Sequence, residues 1–187
     1  MKKTAVLFLC VIIILCGCGK NNLAMDQAIS FRQKLLSAKQ CTFECGITAD
    51  YGDTLHSFSV YCEFDDSGNM SFQVLEPESI AGITGNIRSQ GGELTFDDNA
   101  LAFPLLADGY ISPISAPWIF MKALRSGYID SSGENESGYL ILFNDSYEES
   151  PLYIELYTDQ DCVPQRADMM WQGRRILSLD VKTFACL

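Results

Sequence analysis

Histidine is almost missing from this chain of 187 residues; His56 is the only one. Ser-His-Asp chemistry would have to use it, and a lone histidine beside the turn Tyr51-Gly52-Asp53 is more often a surface residue than a base with a positioned partner. No CxxC pair is present, so the usual ligand spacings of a zinc site are lacking. Nucleophile-elbow, zincin and Walker motifs are absent as well. The glycines between Gly82 and Gly92 are not followed by Lys-Ser/Thr, and they read as turns or bulges rather than a phosphate loop. The acid pairs Asp65-Asp66, Asp97-Asp98 and Glu148-Glu149 fall in turns, where solvation accounts for them. Neither an enzyme nor a cofactor or metal site is therefore expected. Basic side chains are scarce, 13 against 24 acids, for a net charge of −11. That balance argues against nucleic acid and against anionic headgroups as partners, and solubility explains it most simply. No apolar run approaches the roughly 20 residues of a helical membrane span. There is no internal repeat and no linker.

What is present begins at the N-terminus. Lys2-Lys3 form a short positive segment, and Ala5 to Leu15 is an uncharged apolar run of eleven residues. This is the layout of a secretion signal. The run ends in Leu15-Cys16-Gly17-Cys18, which resembles a bacterial lipobox. Residues 1–17 are then a cleaved signal, Cys18 becomes the first residue and carries a diacylglyceryl group and acyl chains such as palmitate, and residues 18–24 are a lipidated tether. Two or more acyl chains give stable anchoring where one gives only reversible binding. The expected location is the extracytoplasmic face of a cell membrane. Removing the signal leaves 170 residues with a net charge of −13, enough for one domain (residues 25–187) with a substantial core.

Five cysteines remain: Cys41, Cys45, Cys62, Cys162 and Cys186. An exported protein can keep disulfides, and an odd number leaves at least one thiol free. Cys41 and Cys45 lie on one strand about 13 Å apart, beyond the ~7 Å reach of a bridge. Cys45 with Cys62, inward on adjacent strands, and Cys162 with Cys186 are the candidate pairs.

Asp26 to Ala38 reads as an amphipathic helix, with Ala28, Ile29, Leu35 and Leu36 near one face. From Lys39 the period becomes two. Cys41-Phe43-Cys45-Ile47-Ala49, Phe58-Val60-Cys62-Phe64 and Met70-Phe72-Val74 alternate with polar residues across turns at Tyr51-Gly52-Asp53 and Asp65 to Asn69. Further strands are predicted through Ile83–Ile87, Leu94–Phe96 and Leu101–Phe103. Ala116 to Gly127 breaks the pattern with a short apolar helix, with Pro117 suited to its first turn. Ser131 to Ser137 reads as a polar loop. Strands resume with Leu140 and Leu142 on one face and Tyr139, Ile141 and Phe143 on the other. Then come Leu152–Tyr157, Ala167–Trp171 and Arg175–Thr183. Tyr139, Tyr153 and Tyr157 are placed on the convex side. Nine or ten strands in one sheet must curl. The fold class is α+β, mainly β: a curved antiparallel sheet, or half-open β-barrel, with an N-terminal helix and a short inserted apolar helix on its concave side.

The order of lipobox, helix, strand meander, apolar insert, strands and a last pair around Trp171-Gln172-Gly173 resembles the LolA/LolB-like lipoprotein-localisation fold. In Ala49-Asp50-Tyr51-Gly52-Asp53, Pro77 to Ile83 and Arg125 to Ile129 the chain looks like small lipoproteins of Firmicutes. The resemblance implies a concave face that holds lipid or lipoprotein acyl chains beneath helical cover, and an anchored chain resembles the family's receptor more than its soluble carrier. Phe58, Val60, Phe72, Val74, Phe96, Phe103, Leu140, Leu142, Ile154 and Leu156 would line that face, covered by Trp118, Ile119, Met121 and Leu124. Strand alternation serves equally a dry packed core in a sensory lipoprotein that binds a protein partner.

Overall fold

The computed structural model describes residues 23–97, 99–107, 110–144 and 152–187. The signal, Cys18, the first part of the tether and the pair Glu148-Glu149 lie outside the described residues. Helix α1 is Leu23–Ser37. It starts three residues before the predicted Asp26, so the tether's last two positions are helical.

Three long strands follow: β1 (Gln40–Asp50), β2 (Leu55–Asp65) and β3 (Met70–Glu76). Next come β4 (Thr84–Arg88), β5 (Gly91–Phe96), β6 (Asn99–Phe103) and a small hairpin of β7 (Leu106–Ala107) and β8 (Tyr110–Ile111). A single 3-10 turn, Pro113–Ser115, leads into helix α2 (Ala116–Ser126). The chain ends with β9 (Tyr128–Glu134), β10 (Gly138–Asn144), β11 (Tyr153–Asp159), β12 (Pro164–Trp171) and β13 (Arg174–Cys186). Ser131 to Glu134, expected as loop, are therefore strand. Their pairing with β10, from Tyr139↔Glu134 to Asn144↔Tyr128, overrides their polar composition.

Eleven strands form one antiparallel sheet in the order β6-β5-β4-β3-β2-β1-β13-β12-β11-β10-β9. It is two meanders, one running out from β1 and one from β13, joined where the first and last strands pair. The sheet is not closed: β6 and β9 remain edges. Register shifts at Glu44/Cys45, Ser59/Val60, Leu142/Phe143, Tyr157/Thr158 and Met169/Met170 mark bulges, which bend strands and raise twist. The expected curved, unclosed, mainly β architecture with two helices is what forms.

The helices sit on one face. α1 packs on β9, β10 and α2, and α2 lies against β2, β10 and β13. Alternation sends Cys41, Phe43, Cys45, Ile47 and Ala49 of β1 into the core, each no more than 3% exposed. Every residue from Ala116 to Met121 is buried, as expected of a helix apolar all round.

Cys41 and Cys186 face each other across β1 and β13 and form a disulfide. Neither expected pair exists: Cys45, Cys62 and Cys162 are free and buried. Cys45 opposes Val60 while Cys62 opposes Phe43, so these two are diagonal neighbours. Diagonal Cα separations of about 7–8 Å exceed the reach of a bridge. The partner of Cys186 is set by the β1–β13 pairing, a contact that no local sequence pattern announces.

Candidate functional site

The inner face of the sheet divides into a covered part and an open part. In the covered part α2 fills the concavity. Phe120 meets Phe43 edge-on at 6.0 Å between centroids, and Phe120, Met121 and Leu124 are at most 1% exposed. Val60, Phe72, Val74, Ile154 and Leu156, expected as lining, are all buried against this packing, as are Trp118 and Ile119.

Two arginines and a tryptophan fix α2 in place. Trp118 donates its indole N–H to the Gly68 carbonyl at 2.9 Å. Arg125 donates to the carbonyls of Asp65 (2.8 Å) and Asp66 (3.1 Å) and covers the Phe64 ring. These partners lie at the end of β2 and in the turn that leads to β3. At the other end Arg32 of α1 donates to Leu124 O (2.8 Å), Gly127 O (2.7 Å) and Ala123 O (3.3 Å). Leu124 and Gly127 are at the helix end, where carbonyls run out of partners within the helix, while Ala123 O already accepts the Gly127 N–H. Burial lowers the Arg32 pKa somewhat from its ordinary value. Its guanidinium lies over Phe143, 5.5 Å from the ring centre.

That contact settles the faces of β10. Tyr139, Ile141 and Phe143 point to the helices and are buried, while Leu140 and Leu142 are half-buried on the outer side. The expected order is reversed. Both sets of this strand are apolar, so alternation alone could not choose between them. Tyr139 accordingly leaves the convex group, and Tyr153 and Tyr157 remain there, half-buried on either side of Glu155.

The open part is the wing made by β4, β5 and β6. Register carries the inner face outward from Met70 and Phe72 to Ile87 and Gly85, then to Gly92 and Leu94, then to Phe103 and Leu101. Exposure rises along that path. Phe72 is 4% exposed and Ile87 0%, Leu94 and Phe103 are half-buried, and Phe96 reaches 46% and Leu101 62%. Phe58, half-buried, packs against the edge of the core. The expected residues Phe96 and Phe103 thus border an uncovered apolar surface, Phe58 lines a separate groove at the end of β2, and most of the others lie beneath α2. Leu94 and Leu101 complete this surface and were not among the expected lining residues. Their alternation with Phe96 and Phe103 is the sequence signal that could have found them.

Two aromatic rings shape the wing. Phe72 lies over Gly85, and Phe103 over Gly92, where an added Cβ would come within 2.5 Å and 2.2 Å of ring carbons. Glycine opposite an aromatic ring lets the ring lie flat along the sheet. The wing is therefore a smooth apolar strip. A groove of about 670 Å³ opens elsewhere, at the end of β2 beyond its pairing with β3. Its walls mix the apolar Ile47, Phe58, Leu75 and Pro77 with the charged Glu76 and Asp180, whereas the wing's strip is apolar throughout. Among the described residues, no group of three His, Cys, Asp or Glu side chains is placed to hold a metal ion, and no helix is long and apolar enough to cross a membrane.

The sequence matches no protein-family model and no curated protein. Among solved structures the chain is similar to an uncharacterized conserved protein from Thermus thermophilus (10% identity, TM-score 0.49, 87% of each chain covered). It is also similar to a LolA superfamily protein from Nitrosomonas europaea (8% identity, TM-score 0.44, covering 86% of this chain and 92% of that one). A third likeness is to the Mycobacterium tuberculosis lipoprotein LppX (10% identity, TM-score 0.41, 87% and 93% covered).

Proposed function

We propose that this is an extracytoplasmic lipoprotein, held to the membrane through an acylated Cys18, that binds a lipid or lipoprotein acyl chain on the open wing of its curved sheet. It performs no catalysis on this reading. The observation that carries the proposal is the graded exposure of one continuous apolar face, from buried Ile87 through Leu94 and Phe103 to Phe96 and Leu101. Ligand sites are concave and mostly apolar, and this face borders the concavity. Covering about eight methylenes there stabilises the complex by about 6 kcal/mol, which corresponds to a dissociation constant in the tens of micromolar. The deeper candidates, Val60, Phe72, Val74, Met121, Leu124, Ile154 and Leu156, join the site only if an acyl chain displaces part of α2. Leu140 and Leu142, on the outer face, have no part in it.

The test is native mass spectrometry of the chain released from membranes in mild detergent, with organic extraction of bound material. Phospholipid or acylated peptide that co-purifies with the wild type and is lost in Leu101→Asp supports acyl binding. Leu101 is exposed, so this variant keeps its fold. A clean apo mass, with no adduct on adding phospholipid, sinks the proposal.

A second reading is a protein-binding or sensory lipoprotein with a dry core. The complete burial of Phe43 and of the α2 residues Phe120 and Met121 favours it. It expects no lipid adduct, and a protein partner whose capture depends on Phe96 and Leu101.

A further inference from the structure

The charge of this acidic chain is divided sharply along its length. Residues 18–40 carry Lys20, Arg32, Lys34 and Lys39 against a single acid, Asp26, whereas residues 41–187 carry seven basic side chains against twenty-three acids. The net charge of −11 hides one positive segment, and that segment is α1 with its flanks. Helix α1 is also more apolar than its core contacts require. It buries Ala24, Ala28 and Leu35. Ile29 (44% exposed) and Leu36 (52%) stand seven residues apart, two turns along one side of the helix, outside that buried arc. Leu23 at its first position is 49% exposed. Arg32 is engaged with the end of α2, which leaves Lys20, Lys34 and Lys39 as the segment's remaining basic groups.

We propose that the outer apolar side of α1 lies on the bilayer surface, with Ile29 and Leu36 at the acyl boundary and Lys34 and Lys39 at anionic headgroups. The occupant is a phospholipid surface for two reasons. One is charge: this is the basic stretch of a chain that is otherwise strongly acidic. The other is reach, and it rests on the reading that Cys18 is acylated. Only residues 19–22 separate Cys18 from Leu23, a span of at most about 18 Å. A helix tied that closely to a bilayer meets headgroups at high effective concentration. Basic side chains beside an anchor are drawn to an anionic leaflet, and an apolar helix side settles into its interface. On this arrangement the anchor fixes the molecule's orientation as well as its location. α1, at the β9 end of the sheet, faces lipid, and the wing is at the opposite edge.

The experiment uses the full chain, expressed with its own signal in an exporting bacterial host. The protein is reconstituted into vesicles of phosphatidylcholine, with or without three parts in ten phosphatidylglycerol, carrying brominated acyl chains. Ile29→Trp and Leu36→Trp report contact by fluorescence quenching, with wild-type emission subtracted and Glu93→Trp, on the outer side of β5, as reference. The expected result is quenching at least twofold above the reference at one or both α1 positions, stronger with phosphatidylglycerol and weakened by Lys34→Glu with Lys39→Glu. Quenching no greater than the reference at both positions overturns the proposal, as it does if α1 instead contacts a protein. The mass of the N-terminal peptide reports acylation separately. A chain without the diacylglyceryl group refutes the anchor, while quenching on adding vesicles to that same chain still supports the α1 contact.

Discussion

Arg32 caps a helix to which it does not belong. Its guanidinium donates to three carbonyls at the end of α2 and lies over Phe143, so a single side chain couples α1, α2 and β10. Hydrogen bonds from a charged donor are worth more than neutral ones. Arg32→Ala is expected to lower the unfolding free energy by about 2 kcal/mol in urea titration, and Arg32→Lys to restore only part of it, because an ammonium cannot present the planar fork. Asp65 sets a pH dependence. Burial by itself would raise its carboxyl, but the Asn69 side-chain amide and the backbone N–H groups of Asn69, Ser67 and Gly68 outweigh it and hold the pKa below the ordinary value. A depressed folded-state pKa contributes stability that is present above the unfolded value, about 3.9, and lost as pH falls through the folded value. Asp65→Asn should therefore flatten the stability profile below about pH 4 and leave its shape near neutrality unchanged. An unaltered acid limb would remove Asp65 from the account.

Helix α2 and the wing are the two elements on which the proposed function turns, and they differ in how well they can be read. That Ala116 to Gly127 is a buried helix follows from its unbroken apolar composition. That it is core rather than a detachable cover depends on Trp118 meeting Gly68 and on the reach of Arg32 and Arg125, contacts between residues at least fifty positions apart. Sequence carries no local trace of them. The same holds for β10, where apolar residues on both faces leave the register undecided until Phe143 meets Arg32. The strands of β1, β2 and β3, with one clean apolar set each, are legible at once. The wing is half legible: its alternation is visible, but its exposure follows from where the helices stop. Gly85 tests the shape of the wing. A Cβ there would lie 2.4 Å from the Glu93 carbonyl and 2.5 Å from the Phe72 ring. Gly85→Ala should cost about 1–3 kcal/mol by overpacking and also weaken acyl binding, whereas Leu101→Asp should weaken binding with little change in melting temperature. Equal loss of stability in both variants would mean that the wing is structural only. On the outer face of β12 the carboxylate of Asp168, 5% exposed, accepts a hydrogen bond from Ser178 at 2.6 Å and meets Arg166 at 3.1 Å. Asp168→Ala leaves the buried Ser178 hydroxyl without its acceptor, while Arg166 and Arg175 stay solvated, and should cost about 1–2 kcal/mol, read by the same titration.

At the scale of the molecule the sheet has two free edges but a sewn centre. The Cys41–Cys186 bond joins the start of the first strand to the end of the last, 145 residues apart. Cross-linking so long a loop restricts the unfolded chain, and on chain-entropy grounds its removal should cost up to about 5 kcal/mol. Cys41→Ala with Cys186→Ala, followed by chemical unfolding, measures it. Cys62, whose thiol is pushed well up by burial and by its neighbour Cys45, should resist alkylation until the chain unfolds. The same bond governs how the protein bears load. On the proposed anchoring at Cys18 the chain is pulled from its N-terminus, and tension applied between Cys18 and Leu187 passes through α1, enters the sheet at β1 and leaves it at the adjacent end of β13. The disulfide short-circuits that path. In a pulling experiment the oxidised chain should lengthen by no more than about 8 nm, the contour of the segment before Cys41, where the reduced chain can extend toward about 60 nm. Of the domain, α1 alone lies before the bond and bears the load through its contacts with α2, β9 and β10; the loop closed by the disulfide cannot be drawn out, and it behaves as a rigid bead on a short leash.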